Sequence, residues 1–551
     1  MRVVLLPPLL ALATVTGLGS YCETSDDTSL AWLFSGVLAG RPVLAVPLYL
    51  HGYGHLLAAA YAAVPGGPWL GLLLGGLLTL ATVFVFAVLD RLLRPYLRPG
   101  PLALALVGFF FFGWLEHWLW FSFGRVALLL AGAAVLFAAQ RPGRRGALLL
   151  GLVALVAAGL LRPGLAGLSF VVLLPAARLL AGSWRRTAPL LISAALGLGL
   201  VVGAAFWFQA PAAARTQERD GSFARILDYD QLRPQPRTPA DSLGTAAISA
   251  WLLGDSTIVN AALCRRAYHF DAPDFCQRTV PAKLSLRVGL LGRDYFPLLL
   301  LLALVATVIG ARGRGRRGFF WLVQLGYVGA LLVLAGLFKL PPRLALPLLD
   351  FWLLTNLIFL LRNDGIDSAG ESGAGQFRTG SLSFSLLVRR LAAGLVLVVG
   401  LLYGAKTWHR RQVLGQEQSR HERAWAEISR ATGGHVRVLA GTNDLLKSLS
   451  PFRVYDVGPG PVLELSGWPA HDPSQARLRQ RLTGTPDQTE ALRRLAGPGR
   501  DDVRWLLSAE TARWLNRRFR YAPGPGSVVE LRPRQALTAD SSLRYYQPSP
   551  R

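Results

Sequence analysis

Apolar residues in this chain gather into long runs separated by short polar stretches. Residues 70–89 and 296–310 are almost uninterrupted. At about 20 residues per crossing, the pattern predicts membrane spans near residues 3–20, 69–89, 101–121, 125–140, 147–161, 165–181, 188–208, 296–311, 319–338, 344–361 and 391–404. Beyond 404 the pattern changes. Short β-type runs at 435–439 and 462–465 mix with helical stretches such as 501–519, and Trp468, Trp505 and Trp514 are interspersed. The expected fold is an all-α polytopic membrane protein of about 11 transmembrane helices over residues 1–404, followed by a small α/β domain over 405–551. Residues 362–388, rich in Gly, Ser and Asp, read as a linker.

Composition supports that class: hydrophobic residues make up 52% of the 551 and charged ones 16%. A net charge of +26 would suggest a nucleic-acid partner in a soluble protein. Here topology accounts for much of it, and no nucleic acid is expected. The clusters at Arg91, Arg94 and Arg98, at 141–145, at Arg185 and Arg186, at 312–317 and at Arg389 and Arg390 all fall on one side of the predicted spans, which is then cytoplasmic. The outer segments become 21–68, 209–295, 339–343 and everything after about 405. Residues 1–22 also read as a secretory signal, whose cleavage would leave residues 26 and 27 on the same side. Cys264 and Cys276 share one outer loop, where an oxidising compartment would allow them to pair; Cys22 has no evident partner.

Candidate chemistry concentrates in the first outer segment. Asp26 and Asp27, in SYCETSDDTSL, belong in water at the membrane edge. After them Leu30, Leu33, Phe34, Val37 and Leu38 recur at helical spacing, which predicts a short helix lying in the interface. The simplest role for one of the acids is to cap that helix. His51 and His55 are four residues apart and would share a helix face, able to hold phosphate or to join the acids around a metal, or only to anchor the helix at headgroup level. Glu116 and His117 are an acid and imidazole pair within a span, where each needs a partner. Arg125, Arg162, Lys339 and Arg343 fall at outer span ends, against the charge trend, where they can neutralise a lipid-linked phosphate or snorkel to headgroups.

The order of one span, an outer loop opening with paired acids (Asp26, Asp27), an interfacial helix, a multi-span bundle and then LFKLPPRLALPLLDFW (Lys339, Arg343, Pro347) resembles the GT-C superfamily of polyprenyl-phosphate-sugar-dependent glycosyltransferases. DDTSLAWLFSGVLAGRP followed by LYLHGYGHLLAAAYAAVPGGPWLGL is similar to bacterial membrane proteins of glucosyltransferase type. The likeness covers residues 1–404. Leu344 stands where that family usually has an aromatic, and the acid pair is Asp-Asp where it is often Asp-Glu.

The resemblance implies an enzyme of the bacterial inner membrane, with its active site and C-terminal domain outside the cytoplasm. It would transfer a sugar from a polyprenyl-phosphate carrier to a glycan, lipid or protein acceptor. Asp26 or Asp27 would be the general base. Arg343, with Lys339 or Arg125, would stabilise the leaving phosphate, and His51, His55, Glu116 and His117 would complete the substrate site. A divalent metal, Mg or Mn, held by Asp26 and Asp27 stays open. The rival readings are a flippase for lipid-linked saccharides and a non-catalytic assembly factor.

Overall fold

The computed structural model describes residues 2–47, 49–311, 317–363, 386–455, 457–521, 529–536 and 543–550. The basic cluster at 312–316 and most of the linker at 362–388 lie outside them, as do the side chains of Arg389 and Arg390.

About 71% of the structure is helical, in keeping with the predicted class but not with the predicted number of crossings. Among the described residues, five helices are long and apolar enough to span a bilayer: Trp69–Leu93, Pro99–Leu119, Trp184–Trp207, Gly318–Leu337 and Pro342–Arg362. The number reaches seven if each of two bent pairs counts as one span: Pro163–Val172 with Leu174–Ala181, bent by 52°, and Ala272–Asp294 with Phe296–Gly310, bent by 86°. Three more of the eleven expected crossings are the apolar helices Leu6–Gly17, Phe123–Ala139 and Arg145–Leu161. At 1.5 Å per residue, helices of 12 and 17 residues fall short of a hydrocarbon core of about 30 Å. Composition marked them as apolar, but length is what decides crossing. The last predicted span, 391–404, is part of one unbroken helix, Leu386–Thr432, that runs from an apolar half into a polar one.

A five-stranded sheet follows that helix, in the order Val462–Glu464, Val436–Ala440, Val503–Leu507, Arg544–Pro550, Val529–Ala536. The first three strands are parallel and the last two antiparallel. Residues 501–519, expected to be helical, divide into the strand Val503–Leu507 and the helix Ala509–Tyr521. The sheet does not complete its own core. Phe223, Leu243, Ile248 and Leu252 from the 209–295 loop join Val438, Trp505 and Trp514 in one buried cluster, and the Trp514 indole donates to Leu243 O at 3.0 Å. The loop's Cys264 is buried and its Cys276 exposed, and both are free thiols, so the pairing that a shared loop would allow is not made.

The segment that follows the first helix is clamped between the bundle and this domain. Tyr21–Cys22 pairs in parallel with Trp120–Phe121, and Cys22 exchanges backbone hydrogen bonds with Ser448 and Leu449. The Ser25–Ser35 helix forms as expected, but it is not a surface helix at the headgroups. Leu30, Leu33 and Phe34 are fully buried, Thr28 donates to Leu446 O at 2.9 Å, and Trp32 meets Trp425 edge-on at 4.8 Å. Its apolar side found protein instead of lipid.

Docking also depends on Gly71 in the Trp69–Leu93 helix, where a Cβ would come within 1.9 Å of Pro451 O; Gly76 in the same helix faces open space. Gly71→Leu should therefore overpack this contact and cost about 1–3 kcal/mol. The expected readout is a lowered thermal midpoint with faster tryptic release of the C-terminal domain, while Gly76→Leu leaves both unchanged.

Candidate functional site

A cavity of about 940 Å³ lies where three parts of the chain meet: the segment after the first helix, the ends of several bundle helices, and the C-terminal sheet. Asp26, His51, Lys339 and Arg343 all line it. With Arg162, which also lines it, five of the ten charged or histidine residues singled out from sequence converge there.

Local folding explains each placement. Asp26 is in the first turn of Ser25–Ser35, and Trp468 Nε1 donates to its Oδ1 at 2.9 Å. His51 does not share a helix face with His55, because the next helix begins only at Tyr53. Instead the backbone N–H groups of Leu50 and His51 donate to Leu161 O and Leu160 O at 3.0 and 2.8 Å. They satisfy carbonyls that the end of the Arg145–Leu161 helix leaves open. His51 is thereby held at the cavity, and burial lowers its imidazole below the ordinary range, so it is neutral near pH 7. His55 is exposed and outside the cavity.

Arg343 opens the Pro342–Asn363 helix, its backbone N–H donating to Glu23 Oε1 at 2.9 Å. Arg162 joins it. A Cβ on Gly124 would lie 3.7 Å from Arg343 Cδ and 3.9 Å from Arg162 Nη1, so both chains flank one point. The Arg162 guanidinium also stands over the Tyr49 ring at 4.9 Å. Neither side chain is ion-paired with a carboxylate among the described residues, whereas Lys339 is held by Asp228 at 2.6 Å. Two unpaired guanidiniums side by side form an anion-binding pair. Sequence reading noted Arg162 at a span end but chose Arg125 for the site; the turn that brings 49–51 onto the end of the 145–161 helix was not visible in it.

Arg125, Glu116 and His117 are not at the cavity. Arg125 is buried and bonded to Glu23 at 2.5 Å and stands 3.3 Å from His117 Nδ1. His117 Nε2 meets Asp350 at 2.8 Å, and Glu116 holds Lys406 and Arg410 at 3.0 and 2.6 Å. Charges inside an apolar bundle need such partners, since removing one member of a buried pair costs about 3–5 kcal/mol. The network fixes the bundle. Lys406, Arg410 and Glu23 edge a second cavity of about 790 Å³.

The two adjacent acids have separated. Asp27 points away from the cavity, accepting from Phe123 N at 2.8 Å and Thr24 Oγ1 at 2.9 Å. It therefore caps the Phe123–Ala139 helix, whose own N-cap Ser122 makes no side-chain capping bond. Burial outweighs these bonds and pushes its carboxyl up to about 7. Both Asp27 oxygens are thus engaged away from Asp26, which alone of the two acids lines the cavity. Among the described residues, no group of three or more His, Cys, Asp or Glu could hold a metal ion.

Sequence reading also missed what closes the cavity. Residues 441–444, 466–471 and 508–511, which follow the three parallel strands, form its far wall. His471 on that wall bonds Asp220 of the 209–295 loop. Trp251 has φ of 57°, a left-handed conformation that costs a bulky residue about 1–3 kcal/mol, and its carbonyl accepts from Gly467 N at 2.8 Å. Comparison with protein-family models, curated proteins and solved structures finds no match.

Asp27 makes stability depend on pH in a definite direction. Its folded value, about 7, lies above the ordinary 3.8. Its contribution is therefore complete below about pH 4, declines as pH rises, and is lost above about 7. Asp27→Asn keeps the shape without the ionisation. Relative to wild type, the variant's thermal midpoint should rise between pH 5 and pH 8; a difference that stays constant with pH would rule out this burial effect.

Proposed function

We propose that this protein is a membrane glycosyltransferase that moves a sugar from a polyprenyl-phosphate carrier to a hydroxyl acceptor. The reading rests on one juxtaposition above all. Asp26 and the unpaired Arg343 and Arg162 share a cavity whose flank is an apolar, outward-facing helix end. Val202, Ala205 and Phe206 of the Trp184–Trp207 helix line that flank, and Phe206, Trp207 and Phe208 are 64%, 85% and 83% exposed. An isoprenoid tail can stay in lipid there while its phosphate reaches the arginines.

In this mechanism the acceptor hydroxyl attacks the anomeric carbon while Asp26 takes its proton. The bond between that carbon and the phosphate oxygen breaks, and the electron pair leaves on the polyprenyl phosphate. Arg343 and Arg162 meet the growing negative charge. Asp27 positions the loop and does not touch the reacting atoms. Lys339, already neutralised by Asp228, shapes the site more than it binds. The membrane would be the bacterial inner membrane, with the cavity and sheet domain on its outer face. A flippase would need polar groups free along a path through the bundle, yet Glu116, His117 and Asp350 are engaged with partners among the described residues.

The test is lipid-linked sugar turnover, followed by mass spectrometry of envelope lipids from cells carrying each variant. Asp26→Asn should reduce transfer by about 10²–10⁴-fold, with the donor lipid accumulating, and Arg343→Gln by about 10²–10³-fold. Asp27→Asn should retain most activity. Full turnover in Asp26→Asn would remove the proposed base and the reading with it.

A further inference from the structure

The far wall of the cavity carries chemistry that the donor does not use. In open α/β sheets, ligands bind beyond the carboxyl ends of parallel strands. Here Ala440, Glu464 and Leu507 end on one edge, and the loops after them face the cavity. This edge differs in character from the arginine side. Its one cation in the lining, Lys447, is paired with Asp444 at 2.6 Å. The Asn443 side chain makes no hydrogen bond and Glu510 no ion pair among the described residues, so an amide and a carboxylate remain free. Gly467 has a φ of 74°, which disfavours any side chain there, and its backbone packs close to the Asn443 amide, a Cβ lying 3.1 Å from Oδ1.

Trp251 is the second, independent observation. It is a large aromatic in a conformation such residues avoid, 38% exposed, lining the cavity and tied to this edge through Gly467. Such strain persists where the surroundings impose it, commonly at ligand sites. An aromatic face beside free hydrogen-bonding groups, on a wall without free cations, suits a neutral polyol. The apolar face of a sugar ring covers the indole, and its hydroxyls meet the amide and carboxylate.

We propose that the carboxyl edge of the C-terminal sheet is the acceptor subsite, and that it takes a saccharide whose ring stacks on Trp251 and whose hydroxyls bond Asn443 and Glu510. The proposal rests on the glycosyltransferase reading for its role, but its binding chemistry is separately measurable. The Trp468 to Asp26 hydrogen bond sets this edge beside the base, so a sugar held there presents a hydroxyl to Asp26.

The experiment uses the full chain in nanodiscs of zwitterionic lipid, without donor. Maltotetraose, cellotetraose, mannotetraose and a serine-rich decapeptide are the probes, read by tryptophan fluorescence and saturation-transfer NMR. At least one tetrasaccharide should bind with millimolar or tighter affinity. Trp251→Ala, Asn443→Ala and Glu510→Gln should each weaken it tenfold or more, and Arg343→Gln should leave it unchanged. Trp251→Phe keeps a ring and should retain most binding, which covers the case in which the alanine variant fails to fold. Binding of none of the tetrasaccharides, binding of the peptide alone, or equal loss in Arg343→Gln would each overturn the proposal. In a parallel titration with polyprenyl phosphate, loss of affinity in Arg343→Gln tests the donor reading by itself, so the two can fail separately.

Discussion

A single buried carboxylate organises the site. Glu23 sits where protein has replaced water, and a charge there must be met on both oxygens. One oxygen takes the Arg125 guanidinium and the other the backbone N–H of Arg343. Glu23 thus fixes the start of a helix more than 300 positions away, and the side chain of Arg343 is left to face the cavity. Three residues later the same segment places Asp26 there. The position of acid relative to cation, on which any chemistry in this cavity depends, is set by an ion pair that never touches the cavity.

Part of this was legible in the sequence. Long apolar runs gave the class, because nothing but a bilayer or a large core absorbs them, and Asp26, Lys339 and Arg343 stood out because charge beside such runs needs a reason. What was lost was whatever depends on tertiary closure. Arg125 and Arg162 look alike as cations at span ends. Only the fold shows that one neutralises Glu23 while the other stands unpaired over Tyr49. Glu116 and His117 were correctly seen to need partners, but those partners, Lys406, Arg410 and Asp350, lie more than 200 positions away, beyond any spacing rule. The Asp-Asp pair looked like one unit with two equal members. Successive side chains on a helix diverge by about 100°, since 3.6 residues make a turn, so one acid entered the cavity and its neighbour turned to cap another helix.

The C-terminal domain changed most between sequence and structure. By pattern it was a separate small module, with Trp468 one tryptophan among several. In the fold its core includes Phe223 and Leu243 from the 209–295 loop, and its strand ends complete the cavity. Trp505 and Trp514 are core residues, whereas Trp468 is half-buried and bonds Asp26. Exposure and partner separate them, and neither follows from composition. The helix Leu386–Thr432 passes through the residue 404 division without a break, so membrane and sheet are joined by a stiff rod rather than a hinge.

The Trp468 to Asp26 bond also has a consequence for biosynthesis. Its partners are 442 positions apart, so when the ribosome has delivered every bilayer-crossing helix, the wall opposite the arginines has not yet been translated. A nascent chain at that stage has Asp26, Arg162 and Arg343 but no enclosure around them. The cavity closes only when residues 441–511 emerge and fold back, so its enclosure is a late event in synthesis, after the bundle is in place.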